Sequence, residues 1–226
     1  MEYNIFFCGI GGSRSHNINL ENSDYDFLFI SSEYKGRLAK HQCLDGYNVI
    51  TMSHDVFYRT IYSESYWASW QWFFMDYRSD HNFTSFIQEN RDNFIYNNLP
   101  LLRQAYEEKI ARIKRSFPGF CIVNRKMVAY AFLFLNLLCD LPRGQEPIKC
   151  FRPEGELHDF LINIRNGEYS EEYLWNEFLK LEEQKNRELK FYKSPRDEEF
   201  FRMVKNEIDK YNFLPYEDWK KEYTIK

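Results

Sequence analysis

The sequence has no Cys-x-x-Cys pair, no apolar run long enough to cross a bilayer and no excess of positive charge, and each absence removes a class of function. Its five cysteines, Cys8, Cys43, Cys121, Cys139 and Cys150, are odd in number and lack metal-ligand spacing. That argues against a zinc site and a disulfide framework, and for reduced, mostly buried thiols in a reducing compartment. The longest apolar run, Met127 to Leu138, is interrupted by Asn136 and reads as a buried core helix rather than a membrane span. Met1-Glu2-Tyr3 opens without the basic and apolar regions of a secretory signal, so the expected location is cytoplasmic, with no membrane partner. Thirty Lys and Arg against 34 Asp and Glu give a net charge of -4, which excludes coating nucleic acid by bulk attraction. No internal repeat or low-complexity tract is present.

What is there is a foldable composition. The chain has 226 residues, 44% apolar and 28% charged, enough for one large or two small domains with a sizeable core. Aromatic residues reach 19%, with 21 Phe and 17 Tyr; such residues fill cores and also stack on bases. Strands are expected at Asn4–Cys8, Asp26–Ile30 and, after the turn pair Asp45-Gly46, Tyr47–Met52. The segment from Gly9 to Ser23 reads as a loop with one helical turn near Ser13. Beyond Ser53, an N-cap candidate, the period becomes helical: 55–62, 84–97, 101–117, 123–139, 155–165, a long helix opened by Ser170, and a last one capped by Ser194 with Pro195 at its first position. Strands first and helices after predict an α+β fold, a small sheet module over residues 1–118 followed by a helical module over 119–226.

The most informative residues are Gly11-Gly12-Ser13-Arg14 followed by Ser23-Asp24-Tyr25-Asp26-Phe27. A Gly-Gly-Ser turn lets backbone N–H groups approach a phosphate, and Ser13 and the amides near Gly12 suit the β- and γ-phosphates of a nucleotide. Arg14 can pair with a phosphate oxygen. Aspartates at i and i+2 on a strand share one face, so Asp24 and Asp26 can hold Mg²⁺ or Mn²⁺, while Tyr25 and Phe27 point the other way, into the core. Carboxylate-held cations beside a phosphate cradle suit nucleotidyl transfer, in which positioning and cation clamping do most of the catalysis.

These residues resemble the nucleotidyltransferase superfamily typified by DNA polymerase beta, closest to the predicted nucleotidyltransferases of the RNA repair pathway polymerase beta type of bacteria and phages. Gly-Ser-Arg, a short loop, Ser-Asp-Tyr-Asp and an apolar strand carry the likeness over about 20 residues. Asn90-Arg91 before Leu99-Pro100, and Asn163 to Ser170, extend it weakly. The resemblance implies a short mixed sheet flanked by helices and a Mg²⁺-dependent reaction that moves a nucleoside monophosphate from an NTP to an acceptor hydroxyl, with RNA or a tRNA end as the favoured acceptor. It also implies a third carboxylate from the strand after Asp-x-Asp or its end. Tyr47–Met52 carries no acid, and Asn48 stands where one is expected; Asp55 is the favoured third ligand and catalytic residue, with Asp45 the alternative. A basic residue from the helical part touches the triphosphate in the wider superfamily, which makes Lys126 a nucleotide-binding candidate. Where many relatives have Gly after Gly-Ser-Arg, this chain has Ser15-His16-Asn17, and Asn tolerates the left-handed backbone such a turn needs. The missing acid keeps open an alternative, a catalytically inactive relative that binds a nucleotide or protein partner.

Other residues favour structural roles. His16 and His54 fit loop or cap positions, and Trp67, Trp70 and Trp72 fit packing between modules better than a base platform. Arg112, Lys114 and Arg115, with Glu107 and Glu108 nearby, fit a solvated helix face.

Overall fold

The computed structural model describes residues 4–31, 34, 40–44, 47–53, 56–58, 76–77, 81–115, 124–189, 197–208, 210 and 214–215. The fold is mixed α+β, a small mixed sheet followed by helices. The strands are β1 (Asn4–Ile10), β2 (Asp26–Ser31), β3 (Lys40–Leu44), β4 (Tyr47–Met52) and two short ones, β5 (Asp76–Tyr77) and β6 (Leu214–Pro215). Their order is β3-β4-β2-β1-β5, with β6 also on β1. β1 lies antiparallel to β2, and β3 antiparallel to β4, but β2 and β4 run parallel, with Asp26 opposite Asn48 and Ile30 opposite Met52. β3 was not expected: its sequence, KHQCL, has no apolar period, and it forms as the hairpin partner of β4.

The helices are a short turn α1 (Gly12–Ser15), α2 (His81–Lys114), α3 (Arg125–Asp140), α4 (Pro147–Phe151), α5 (Gly155–Asn166), α6 (Glu171–Leu189) and α7 (Glu198–Ile208). Two helices expected around Pro100 are one, because α2 runs through the proline. Pro100 removes one backbone donor and crowds the preceding turn, but its ring lies on the exposed face, where water can hydrate the freed carbonyl. On the opposite face Ile87, Phe94, Leu99, Leu102, Tyr106, Ile110 and Ile113 form one buried stripe, and that packing outweighs the lost bond. Ser53 accepts from the Val56 N–H at 3.2 Å, and residues 56–58 are helical as expected. Ser170 caps α6 by accepting from the Tyr173 N–H at 3.2 Å. The cap of α7 differs: Asp197 accepts from Glu199 and Phe200 N–H groups at 2.9 and 3.1 Å, so the helix starts after Asp197. Ser194 and Pro195 lie outside the described residues.

α3 is the centre of the helical part. Asn124 caps it by accepting from the Met127 N–H at 3.3 Å, and residues 128–135 and 137–139 are buried. Asn136 is satisfied by donating to the Phe132 carbonyl at 2.8 Å. Leu28 and Ile30 of β2 and Met52 of β4 join α3 and its neighbours in one apolar cluster. The face of β2 that packs on the helices is thus the face that carries Asp26. Phe27 is buried, as expected, but outside that cluster, stacking on Tyr25 and meeting Tyr47 edge-on. Residues 116–123, between the two expected modules, lie outside the described residues. No helix among the described residues is long and apolar enough to cross a membrane.

Tyr106 on α2 stacks on Phe134 of α3 with ring centroids 4.0 Å apart, yet its buried hydroxyl has no hydrogen-bond partner among the described residues. Tyr106→Phe keeps the stack and removes the orphaned group, which costs about 1 kcal/mol or more to bury. The expected result is a rise in Tm of roughly 2–4 °C by circular dichroism. An unchanged or lower Tm would mean that the hydroxyl is satisfied in solution.

Candidate functional site

The site forms where β1 ends and β2 begins. The Gly11 N–H donates to the Asp26 carbonyl at 2.7 Å, pinning the turn after β1 to the first residue of β2. Gly12 follows with φ +65°, and a Cβ built there would lie 2.0 Å from Asp26 Oδ2. Only glycine fits, both for its left-handed backbone and for the carboxylate beside it. Ser15 Oγ donates to the Gly12 carbonyl at 2.8 Å, and the Ile18 N–H to the Ser13 carbonyl at 3.0 Å, closing the turn. Asn17 takes φ +55°, the left-handed geometry expected of it, and its amide donates to the Pro153 carbonyl at 3.3 Å. Ser13 is buried, and its hydroxyl has no partner among the described residues.

His16 caps the turn and is fully buried, stacked on Phe151, with Nδ1 2.9 Å from the Phe151 carbonyl oxygen. A carbonyl only accepts, so Nδ1 carries the proton. Burial lowers the imidazole pKa to about 4, so the ring is neutral and structural, as expected.

Asp24 and Asp26 stand together over this turn. Asn48 Nδ2 donates to Asp24 Oδ2 at 3.0 Å and to Asp26 Oδ1 at 3.3 Å, spanning the pair from the parallel strand. Lys126, in the first turn of α3, places Nζ 3.6 Å from Asp24 Oδ1. Both partners are largely exposed, so the ion pair adds little stability and matters for charge placement. Burial, then the charge of Asp24, raises the Asp26 pKa above its ordinary value; Lys126 and the Asn48 amide act against that. Tyr130, on the next turn of α3, is buried, and burial and then Asp26 hold its phenol neutral well above its ordinary pKa.

Two arginines hold the loop that carries Asp24. Arg14 donates to the Ser23 and Asp24 carbonyls at 2.6 and 3.2 Å and lies 3.8 Å over the Tyr25 ring. Arg165 of α5 donates to the Ile18 carbonyl and, at 3.4 Å, to Ser23 Oγ. Gly12, Asp24, Asp26 and Lys126 thus converge, with Ser13 next to Gly12 in the turn, whereas Arg14 spends its guanidinium on the loop. Asp55, Asp45, His54 and the three tryptophans lie outside the described residues. β4 meets the level of Asp26 at Asn48 and has travelled about 13 Å along the strand by Met52. The strand end that follows Asp45 therefore lies at the aspartates, and the end that leads to Asp55 lies away from them.

Among the described residues no three His, Cys, Asp or Glu side chains cluster as a metal site. The donors that do converge, two hard carboxylates and an amide, suit one Mg²⁺ or Mn²⁺ completed by water and phosphate oxygens. The turn beside them is tight: the Asp26 carboxylate fills the space next to Gly12. Sequence reasoning missed the Asn48 bridge, Tyr130 and Arg165. Only the strand register brings Asn48 across, and only the tertiary fold brings in the other two. Lys114, from the basic group on α2, pairs with Glu182 of α6.

In comparisons with known proteins, no family model matches the chain, and no curated protein matches it significantly.

The raised Asp26 pKa sets a sign for stability. The folded state holds this proton more tightly than the unfolded state, so stability falls as pH rises from 3.8 through the raised value and the penalty stays above it. Asp26→Asn is expected to melt higher than the parent at pH 7, with the gap closing below pH 3.8 in a pH series of thermal melts. A gap that widens on acidification would contradict the assignment. Gly12→Ala is expected to lower stability by roughly 1–3 kcal/mol in urea titrations, from the strained φ and the displaced Asp26. A neutral effect would show that the turn can move off the carboxylate.

Proposed function

We propose that the protein is a Mg²⁺- or Mn²⁺-dependent nucleotidyltransferase that moves a nucleoside monophosphate from an NTP to an acceptor hydroxyl, with an RNA or tRNA end as acceptor. The observation that carries this reading is the packing of the Gly12 turn against Asp26, so close that Gly12 has no room for a side chain, with Asp24 joined to Asp26 through Asn48. In the reaction the acceptor oxygen attacks the α-phosphorus, the bond to the bridging oxygen breaks, pyrophosphate leaves, and the hydroxyl proton passes to a base or to water. A divalent cation, when bound, offsets charge on the phosphate oxygens. Asp24 and Asp26 are the residues that would hold it.

The chain's own groups supply the rest. Ser13 and the amides of the Gly12–Ser13 turn offer donors to the β- and γ-phosphates. Lys126 stands beside Asp24 and would meet a polyphosphate approaching from the exposed side. Burial and the charge of Asp24 make Asp26 readier to take up a proton than an ordinary aspartate while no cation is bound. Arg14 and Arg165 keep the Asp24 loop in register and act as positioning residues. Use of NTP, with Cys139 and Cys150 buried as free thiols, fits a cytosolic setting in a bacterium or phage-infected cell.

One observation favours a second reading. Asn48, not an acid, faces the aspartates from β4. A relative that binds a nucleotide or protein partner without transferring anything would tolerate that amide. One experiment separates the two: α-labelled NTPs, Mg²⁺ or Mn²⁺ and total RNA, with Asp26→Ala as control. Transfer of label, reduced on the order of 10²–10³-fold by Asp26→Ala, is expected. Metal-dependent NTP binding without transfer selects the second reading, and loss of both binding and transfer overturns the enzyme assignment.

A further inference from the structure

We propose that Asn48 sets the cation count of the site, so that the Asp24/Asp26 pair takes a single divalent cation where an acid at position 48 would admit two. The inference rests on the reading of the aspartate pair as a cation site and goes beyond it in assigning the number of ions to one residue. The parallel register puts Asn48 opposite Asp26, and one amide nitrogen reaches both carboxylates, at 3.0 and 3.3 Å. Position 48 is therefore already where a bridging ligand stands.

Charge decides what that ligand permits. Two divalent cations about 3.5–4 Å apart repel four times as strongly as two unit charges at that distance. Bridging carboxylates offset this repulsion, and a neutral amide does not. Lys126 beside Asp24 works in the same direction, since it already offsets one of the two carboxylate charges. The pair with its amide can satisfy one cation, with Asn48 able to turn its carbonyl oxygen inward as a neutral ligand. Aspartate has the shape of asparagine, so Asn48→Asp converts the pair into a triad without repacking β4, where residue 48 is exposed.

Manganese bound at equilibrium is counted by electron paramagnetic resonance, in the full chain without nucleotide. The expected result is one Mn²⁺ per wild-type chain, none in Asp26→Ala and two in Asn48→Asp, the first ion binding ~10-fold more tightly in that variant. Without metal, repulsion among three carboxylates should lower the Tm of Asn48→Asp, and Mn²⁺ should raise it more than in the wild type. Two ions on the wild-type chain overturn the inference while leaving the cation site standing, because another carboxylate would then complete it. A single ion on folded Asn48→Asp overturns it equally. No manganese on the wild type overturns the cation site itself, and with it the nucleotidyl-transfer reading. A wild-type count of two overturns the inference even where the variant does not fold.

Discussion

Two carboxylates of like charge are held side by side, Asp26 at the start of β2 and Asp24 in the loop just before it, and the surrounding structure is arranged around keeping them there. Left alone, Asp24 and Asp26 would separate or one would take up a proton. Every neighbour acts on that tendency. Asn48 donates to both, Lys126 balances Asp24, and Arg14 and Arg165 fasten the loop by its carbonyls and the Ser23 hydroxyl rather than by the carboxylates themselves. The arginines thus fix the geometry and leave the acidic oxygens open. On the proposed function that division leaves the carboxylates, apart from the Lys126 contact to Asp24, for a cation.

The placement follows from the core. Strand alternation puts Asp26, Leu28 and Ile30 on one face, and Leu28 and Ile30 are buried against the helices. The same packing that buries the two aliphatic residues draws Asp26 half under α3, near Tyr130 and Lys126. A helix as apolar as α3 cannot shift its first turn independently of its buried body. Lys126 is therefore positioned by some of the most deeply buried packing in the chain, although its own side chain reaches solvent.

Much of this was legible in the sequence where one residue type serves one local need. Gly12 beside an acid, Asn17 in a left-handed turn, His16 as a cap and Ser170 at a helix start all answer short-range demands that spacing reveals. The misreadings share one cause, tertiary packing overriding a local signal. Pro100 reads as a break, but a buried stripe on the opposite face carries α2 through it. β3 has no apolar period because its partner, not its own pattern, makes it a strand. Phe27 is buried as expected, on the face of β2 opposite the one that meets the helices and bears Asp26. Asn48 was noticed as a missing acid; that its amide spans both aspartates depends on a parallel register no single stretch encodes.

On the proposed function the two aspartates are not equivalent. Asp24 is exposed, beside Lys126, where a polyphosphate would approach. Asp26 is half-buried against Gly12, and its charged form is the one that burial and its neighbour disfavour. A cation arriving between them relieves the repulsion on Asp26 and restores part of its lost solvation, so binding gains most at the residue that is worst served without it. Without a cation, the Asn48 amide and Lys126 are what offset that repulsion. The turn at Gly12 lies directly against Asp26 Oδ2, so that no larger residue fits there. On the proposed function, the turn and the strand start thus set where Asp26 stands before a cation arrives.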